Sequence, residues 1–129
     1  MVTKQKVRED TLRWIEAINS GNLGRIDQVA DELYAADYVW HFPGLTHLLP
    51  GPEGVKQSVR GILEGNPNFQ ITVEDLFVEG DKVAVRCTCH RMDPGTGKPQ
   101  RLMDILIIRY AGGKDAEEWE LIGPWEDEG

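Results

Sequence analysis

A chain of 129 residues with 40% hydrophobic and 28% charged side chains has the length and composition of one soluble globular domain. It contains no apolar run near the ~20 residues of a membrane helix, and its formal net charge of -8 repels phosphate backbones. Membrane spanning and nucleic-acid binding are therefore not expected. The polar start from Met1 to Val7 lacks the pattern of a signal peptide, which makes the cytoplasm the expected compartment. Cys87 and Cys89, two apart on one strand, would strain a disulfide and read as reduced thiols.

Val7, Leu12, Trp14, Ile15 and Ile18 recur at helical spacing, predicting a first helix from about Thr3 to Asn19 that ends at the turn residues Ser20-Gly21-Asn22. A second amphipathic helix follows, with Leu23, Ile26, Val29, Ala30, Leu33 and Tyr34 on its apolar side. Residues Asp37 to Phe42 are rich in aromatic and β-branched types and read as extended, up to Pro43-Gly44. After a loop holding His47, a third helix is predicted from Glu53 to Leu63, broken by Gly65-Asn66-Pro67.

Four strands are then expected, over Phe69 to Val78, Lys82 to Met92, Arg101 to Tyr110 and Ala116 to Ile122. Helices followed by consecutive hairpins imply an α+β fold. The expected architecture is a single domain, residues 1–129, in which a curved antiparallel sheet wraps around the N-terminal helices as a cone-shaped barrel. Its core should span about residues 7–122, with 126–129 a loose tail, and the mouth of the cone is a natural ligand cavity.

The ionisable residues on these strands are the candidate chemistry. Asp104 sits between Met103 and Ile105 in an otherwise apolar strand, so facing the cavity would raise its pKa by desolvation, as a base working near neutral pH requires. The alternative is a structural ion pair with Arg86 or Arg91. His41, where a strand enters the cone, and His90, on the face of Arg86 and Thr88, are candidates to polarise a carbonyl or relay a proton, each against the reading of a satisfied structural His. His47 reads as a surface or lid residue. Trp14, Trp40, Phe42, Met103 and Trp119 are candidate lining for a flat apolar ligand, and Arg86 could orient an oxyanion or pair with Glu117 or Glu120. Alternation places Trp119 inward and the acids around it on a solvated face. Cys87-Thr88-Cys89-His90 is not a metal site, because neighbouring strand residues face opposite ways.

The order of two helices, Asp37-Tyr38-Val39-Trp40-His41, Gly51-Pro52-Glu53-Gly54-Val55-Lys56, Val83-Ala84-Val85-Arg86, Thr96-Gly97-Lys98-Pro99, Arg109, Gly113-Lys114 and Glu117-Glu118-Trp119 resembles the SnoaL-like polyketide cyclases of the nuclear-transport-factor-2-like superfamily. That resemblance implies a cone-shaped α+β fold, catalysis without metal or cofactor, a cavity-bordering Trp at Trp119, and frequent dimerisation through the outer face of the sheet. It implies an acid/base Asp on the strand before the Gly-Lys turn, where the only carboxylate here is Asp104, two residues from the family position and on the same sheet face. The expected function is cyclase or isomerase chemistry on a small, apolar, carbonyl-bearing ligand, with Asp104 moving the proton and His41 or His90 assisting. The alternative is a noncatalytic ligand-binding or assembly protein of the same fold. Apolar residues on both alternations of Leu102 to Ile108 point to a homodimer through the sheet.

Overall fold

The computed structural model describes residues 3–44 and 50–129, so His47 lies outside the described residues. Helix α1 (Lys4–Ser20) starts where the Thr3 hydroxyl accepts the Lys6 amide at 3.1 Å, and it ends at Gly21, whose φ of 66° is the left-handed turn that favours glycine. Helix α2 (Leu23–Leu33) is capped by Asn22 and buries Ile26, Val29, Ala30 and Leu33. It runs without a loop into strand β1 (Tyr34–His41). Tyr34 thus opens the strand rather than closing the helix; both periods point it inward, which is why the sequence did not separate them.

Helix α3 (Gly51–Gly65) starts two residues earlier than expected, at a glycine with φ 67°. A Cβ on Gly51 would lie 2.5 Å from the Ala36 carbonyl oxygen, so the close approach of α3 to β1 requires glycine there. The remaining strands are β2 (Gln70–Glu79), β3 (Lys82–Met92), β4 (Pro99–Ala111), β5 (Lys114–Ile122) and β6 (Glu126–Asp127). No described helix is long and apolar enough to cross a membrane.

The six strands form one open, curved sheet, five of them in the order β1-β5-β4-β3-β2 and β6 paired with β4, a cone-like α+β fold. The sheet is mixed rather than wholly antiparallel as expected, because β1 runs parallel to β5. The tail is also not loose: β6 pairs Gln100 with Asp127 and Arg101 with Glu126, on the stretch of β4 that β5 leaves unpaired.

Two apolar clusters fill the concave side, one centred on α1, α2, α3 and β1 and the other on α1, β3 and β4. Val83, Val85, Cys87 and Cys89 of β3 and Leu102, Asp104, Ile108 and Tyr110 of β4 are the buried, inward alternation. A register shift between Arg109 and Tyr110 adds one residue to β5, so that Asp115 lies on the concave side together with Glu118 and Glu120. This parity is the reverse of the expected one: Trp119 is 38% exposed on the convex side and the acids beside it point in.

Candidate functional site

An inner cavity of 130 Å³ lies between the sheet and helices α1 and α3, walled by Trp14, Tyr34, Tyr38, Val55, Leu106 and their neighbours. A second cavity, 410 Å³, opens at the wide end and adds Phe42, Asn66, Leu102 and Trp125. Trp40, Phe69, Asp104 and Glu120 line both, so they stand where the mouth meets the interior. Of the candidate lining residues, Trp14, Trp40 and Phe42 are found here.

Asp104 faces this junction and is 8% exposed. It reaches the interior because even-numbered residues of β4 take the concave alternation, Cys87 lying opposite on β3 and Ile122 on β5. Its expected ion-pair partners are engaged elsewhere. Arg86 Nε pairs with Asp75 Oδ2 at 2.7 Å on the convex side, and Arg91 donates to Gln100 and Asn66 at 2.9 and 2.7 Å while its guanidinium lies 4.3 Å over the Trp125 ring.

What faces Asp104 is another carboxyl. Glu120, opposite Leu106, is the diagonal neighbour of Asp104 across the β4–β5 ladder. Burial, then its hydrogen bond and repulsion with Asp104, push Glu120 up to about 10, so it keeps its proton at neutral pH. Burial also raises Asp104, while hydrogen bonds from Glu120 and Cys89 pull it back, which makes Asp104 the member that ionises first. Oδ1 of Asp104 meets no fixed N–H or O–H donor among the described residues. The proton it can accept is the one held by Glu120. Trp40 Nε1 donates to Glu120 Oε1 at 3.0 Å, fixing that side chain, and the Cys89 thiol lies 3.9 Å from Asp104 Oδ2, a weak donor. Burial pushes the Cys87 thiol up to about 12 and Cys89 higher, so neither is a nucleophile.

Deeper in the cone a second pair repeats the arrangement. Tyr38 Oη donates to Glu118 Oε2 at 2.9 Å. Burial raises Glu118, and hydrogen bonds from Asp115, Tyr38 and Tyr34 offset part of that rise. Asp115 is raised well above the usual carboxylate range, by burial and then by Glu118. Sequence reading missed Glu118, Glu120 and Asp115. The signal was present in Glu117-Glu118-Trp119-Glu120, but the rule that acids face water assigned it to the surface.

Both candidate histidines are corrected by the structure. His41 follows Trp40, so it takes the convex side, where Nε2 meets Glu117 Oε2 at 2.7 Å and the ring stacks on Trp119. Glu117 is held low by His41 and Arg109. His90 is on the same convex side and meets Glu128 Oε1 at 2.8 Å. Arg86, Met103 and Trp119 are likewise outside, Met103 at 51% exposure. The same alternation that sends Asp104 inward sends Met103 outward and, across the register of β5, Trp119 with it.

The SnoaL-like domain pattern matches residues 11–118. No curated protein matches the chain. Among solved structures, TsrD from Streptomyces laurentii is 22% identical with a TM-score of 0.80, over 95% of this chain and 91% of that one. IdmH, a proposed polyketide cyclase from Streptomyces antibioticus, is 28% identical with a TM-score of 0.74, over 89% and 90%. A proposed SnoaL-like polyketide cyclase from a Jannaschia species is 20% identical with a TM-score of 0.77, over 95% and 90%.

Proposed function

The chain belongs to the SnoaL-like domain family, and from that premise we propose that it is a cofactor-independent cyclase or isomerase acting on a carbonyl-bearing small molecule in the cone. The observation that carries this reading is the buried Asp104–Glu120 pair at the junction of the two cavities, one carboxylate beside one carboxylic acid, with no Arg or Lys clamp among the described residues. Asp104 removes a proton from the carbon next to the carbonyl. The C–H electron pair becomes the enolate, and the Glu120 O–H donates to the developing enolate oxygen. Ring closure follows if the enolate carbon attacks a second carbonyl of the same ligand, the resulting alkoxide taking a proton back from Asp104. Isomerisation follows if Asp104 returns the proton to a different carbon. Glu120 fills the assisting place expected of His41 or His90.

A buried carboxylate is a stronger base than one in water, and the apolar walls keep competing water from the enolate. The direct test is hydrogen exchange at the α-carbon of simple cyclic ketones and β-keto esters in heavy water. Wild-type protein should accelerate exchange, and Asp104→Asn should lower the rate by ~10²–10⁴-fold. A loss under about tenfold removes Asp104 as the base. The competing reading, a noncatalytic ligand-binding protein, is favoured by one observation: among the described residues no imidazole reaches the cavity, since His41 and His90 are both on the convex side. Absence of exchange together with tight ligand binding would establish it.

The convex side supports a homodimer. Val39, Met103, Ile105, Ile107, Trp119 and Leu121 expose apolar side chains from three adjacent strands, and Leu121 is 66% exposed. A second copy of the same side would cover them. The two free, buried cysteines fit the cytoplasm as the compartment.

A further inference from the structure

We propose that the ligand of this cavity carries a protonated amine, and that its ammonium group lies against the Asp104–Glu120 pair within the rings of Trp40, Phe42 and Phe69. The inference rests on the reading of this cavity as the substrate site and adds the charge class of the substrate, an amine-bearing carbonyl compound. Three observations point the same way.

Neither cavity is lined by any described Lys, Arg or His. The titratable groups that face them are Tyr34 and Tyr38 of β1, Cys87 and Cys89 of β3, Asp104 of β4, and Glu118 and Glu120 of β5; α1 and α3 contribute Thr11 and Ser58, which do not titrate. Arg91, stacked on Trp125 at the mouth, is engaged by Gln100 and Asn66, so a ligand carboxylate or phosphate would meet only negative or neutral partners among the described lining residues, in a poorly solvated space where repulsion is least screened. The second observation is Oδ1 of Asp104, buried on a side chain that lines both cavities, which has no donor among the described residues other than the proton Glu120 holds. A buried carboxylate so sparsely hydrogen-bonded is stabilised by a cation.

The third is the ring of aromatic walls at the same place. Trp40 and Phe42 are in tilted contact at 5.2 Å between centroids, and Phe69 and Trp125 line the same mouth. Aromatic faces together with a carboxylate form the usual receptor for alkylammonium groups. The ammonium pairs with the ionised Asp104 carboxylate, one of whose oxygens remains to act as base, while Glu120 keeps its proton for the carbonyl oxygen.

The experiment uses three probes of matched shape: choline, its uncharged carbon isostere dimethylbutanol, and the dimethylbutanoate anion, each titrated into the protein while the tryptophan indole N–H signals are followed by NMR. Choline is expected to bind at least ~10-fold more tightly than dimethylbutanol, and dimethylbutanoate not to bind. Asp104→Asn is isosteric and should erase the difference between choline and dimethylbutanol, whereas Glu120→Gln should retain it. In the wild-type protein, choline affinity should rise with pH as Asp104 gives up its proton, a readout that needs no variant. The inference is overturned if dimethylbutanol binds as tightly as choline, if the preference survives Asp104→Asn, or if choline at about 100 mM shifts no indole signal. Loss of ketone exchange in Asp104→Asn with no cation preference in the wild type would retain the acid/base function and overturn the amine alone.

Discussion

Glu120 stands opposite Leu106 and Asp104 opposite Ile122, so the two carboxyls meet diagonally across the β4–β5 ladder, inside the cone, and one proton serves both. Like charges at that separation in a dry site do not both ionise, so one member stays an acid and the other becomes a base. The division of roles comes from the surroundings: Trp40 holds Glu120, and Asp104 has a buried oxygen with no fixed donor among the described residues.

The acids make the fold pH-sensitive in a defined direction. Asp104, Glu120, Glu118 and Asp115 are all raised, chiefly by burial, so the folded chain binds more protons than the unfolded one. Their contribution is fully present below the unfolded carboxyl value and is lost as pH climbs through the folded values, which for Glu120 reach about 10. Unfolding free energy should therefore fall from about pH 4.3 upward, by up to ~1.4 kcal/mol per pH unit for each group titrating. Urea midpoints at about pH 5, 7 and 9 should decline, and Glu120→Gln should flatten the decline.

Tyr38→Phe removes the donor to Glu118 Oε2 without changing the ring that fills the interior. A buried acceptor left short of a partner costs ~1–3 kcal/mol. The denaturation midpoint should fall accordingly, and more as pH rises and the burial-raised Glu118 carries its charge with one donor fewer. An unchanged midpoint would mean that Asp115 and Tyr34 satisfy Glu118 by themselves.

Ile105→Lys and Trp119→Glu place charges in the middle of the apolar convex side, away from the cavity. Light scattering should give the mass of two chains for the wild-type protein and of one for either variant, with the ligand cavity intact. A monomeric wild type would remove the homodimer.

The fold was readable because its signals are local. Helical stripes, the turn at Gly21 and the hairpin between Lys82–Met92 and the next strand are set by neighbours in sequence. The parallel pairing of β1 with β5 was not readable, since no hairpin connects them. Asp104 was legible as an ionisable residue in an apolar strand, and Trp14, Trp40 and Phe42 as aromatic lining. Its partner was hidden by parity. The extra residue in β5 brings Asp115 to the side of Glu118, and the apolar Trp119 and Leu121 serve the outer side, so the expectation of apolar-in, acid-out inverted that strand. His41 and His90 fell to the convex side by the same alternation. The tail looked featureless because its hold on the mouth is made by long-range contacts, Gln100 with Asp127, His90 with Glu128, and Arg91 over Trp125.

The most direct measurement is a carboxyl-carbon NMR titration of the unliganded protein, with Asp104→Asn and Glu120→Gln to assign the two signals. A shared-proton pair predicts one carboxyl titrating near 10, assigned to Glu120, and Asp104 titrating above its ordinary value. Two signals in the ordinary carboxylate range, with Asp104 near ~3.9, would mean solvated, independent acids and would contradict both the base and its partner.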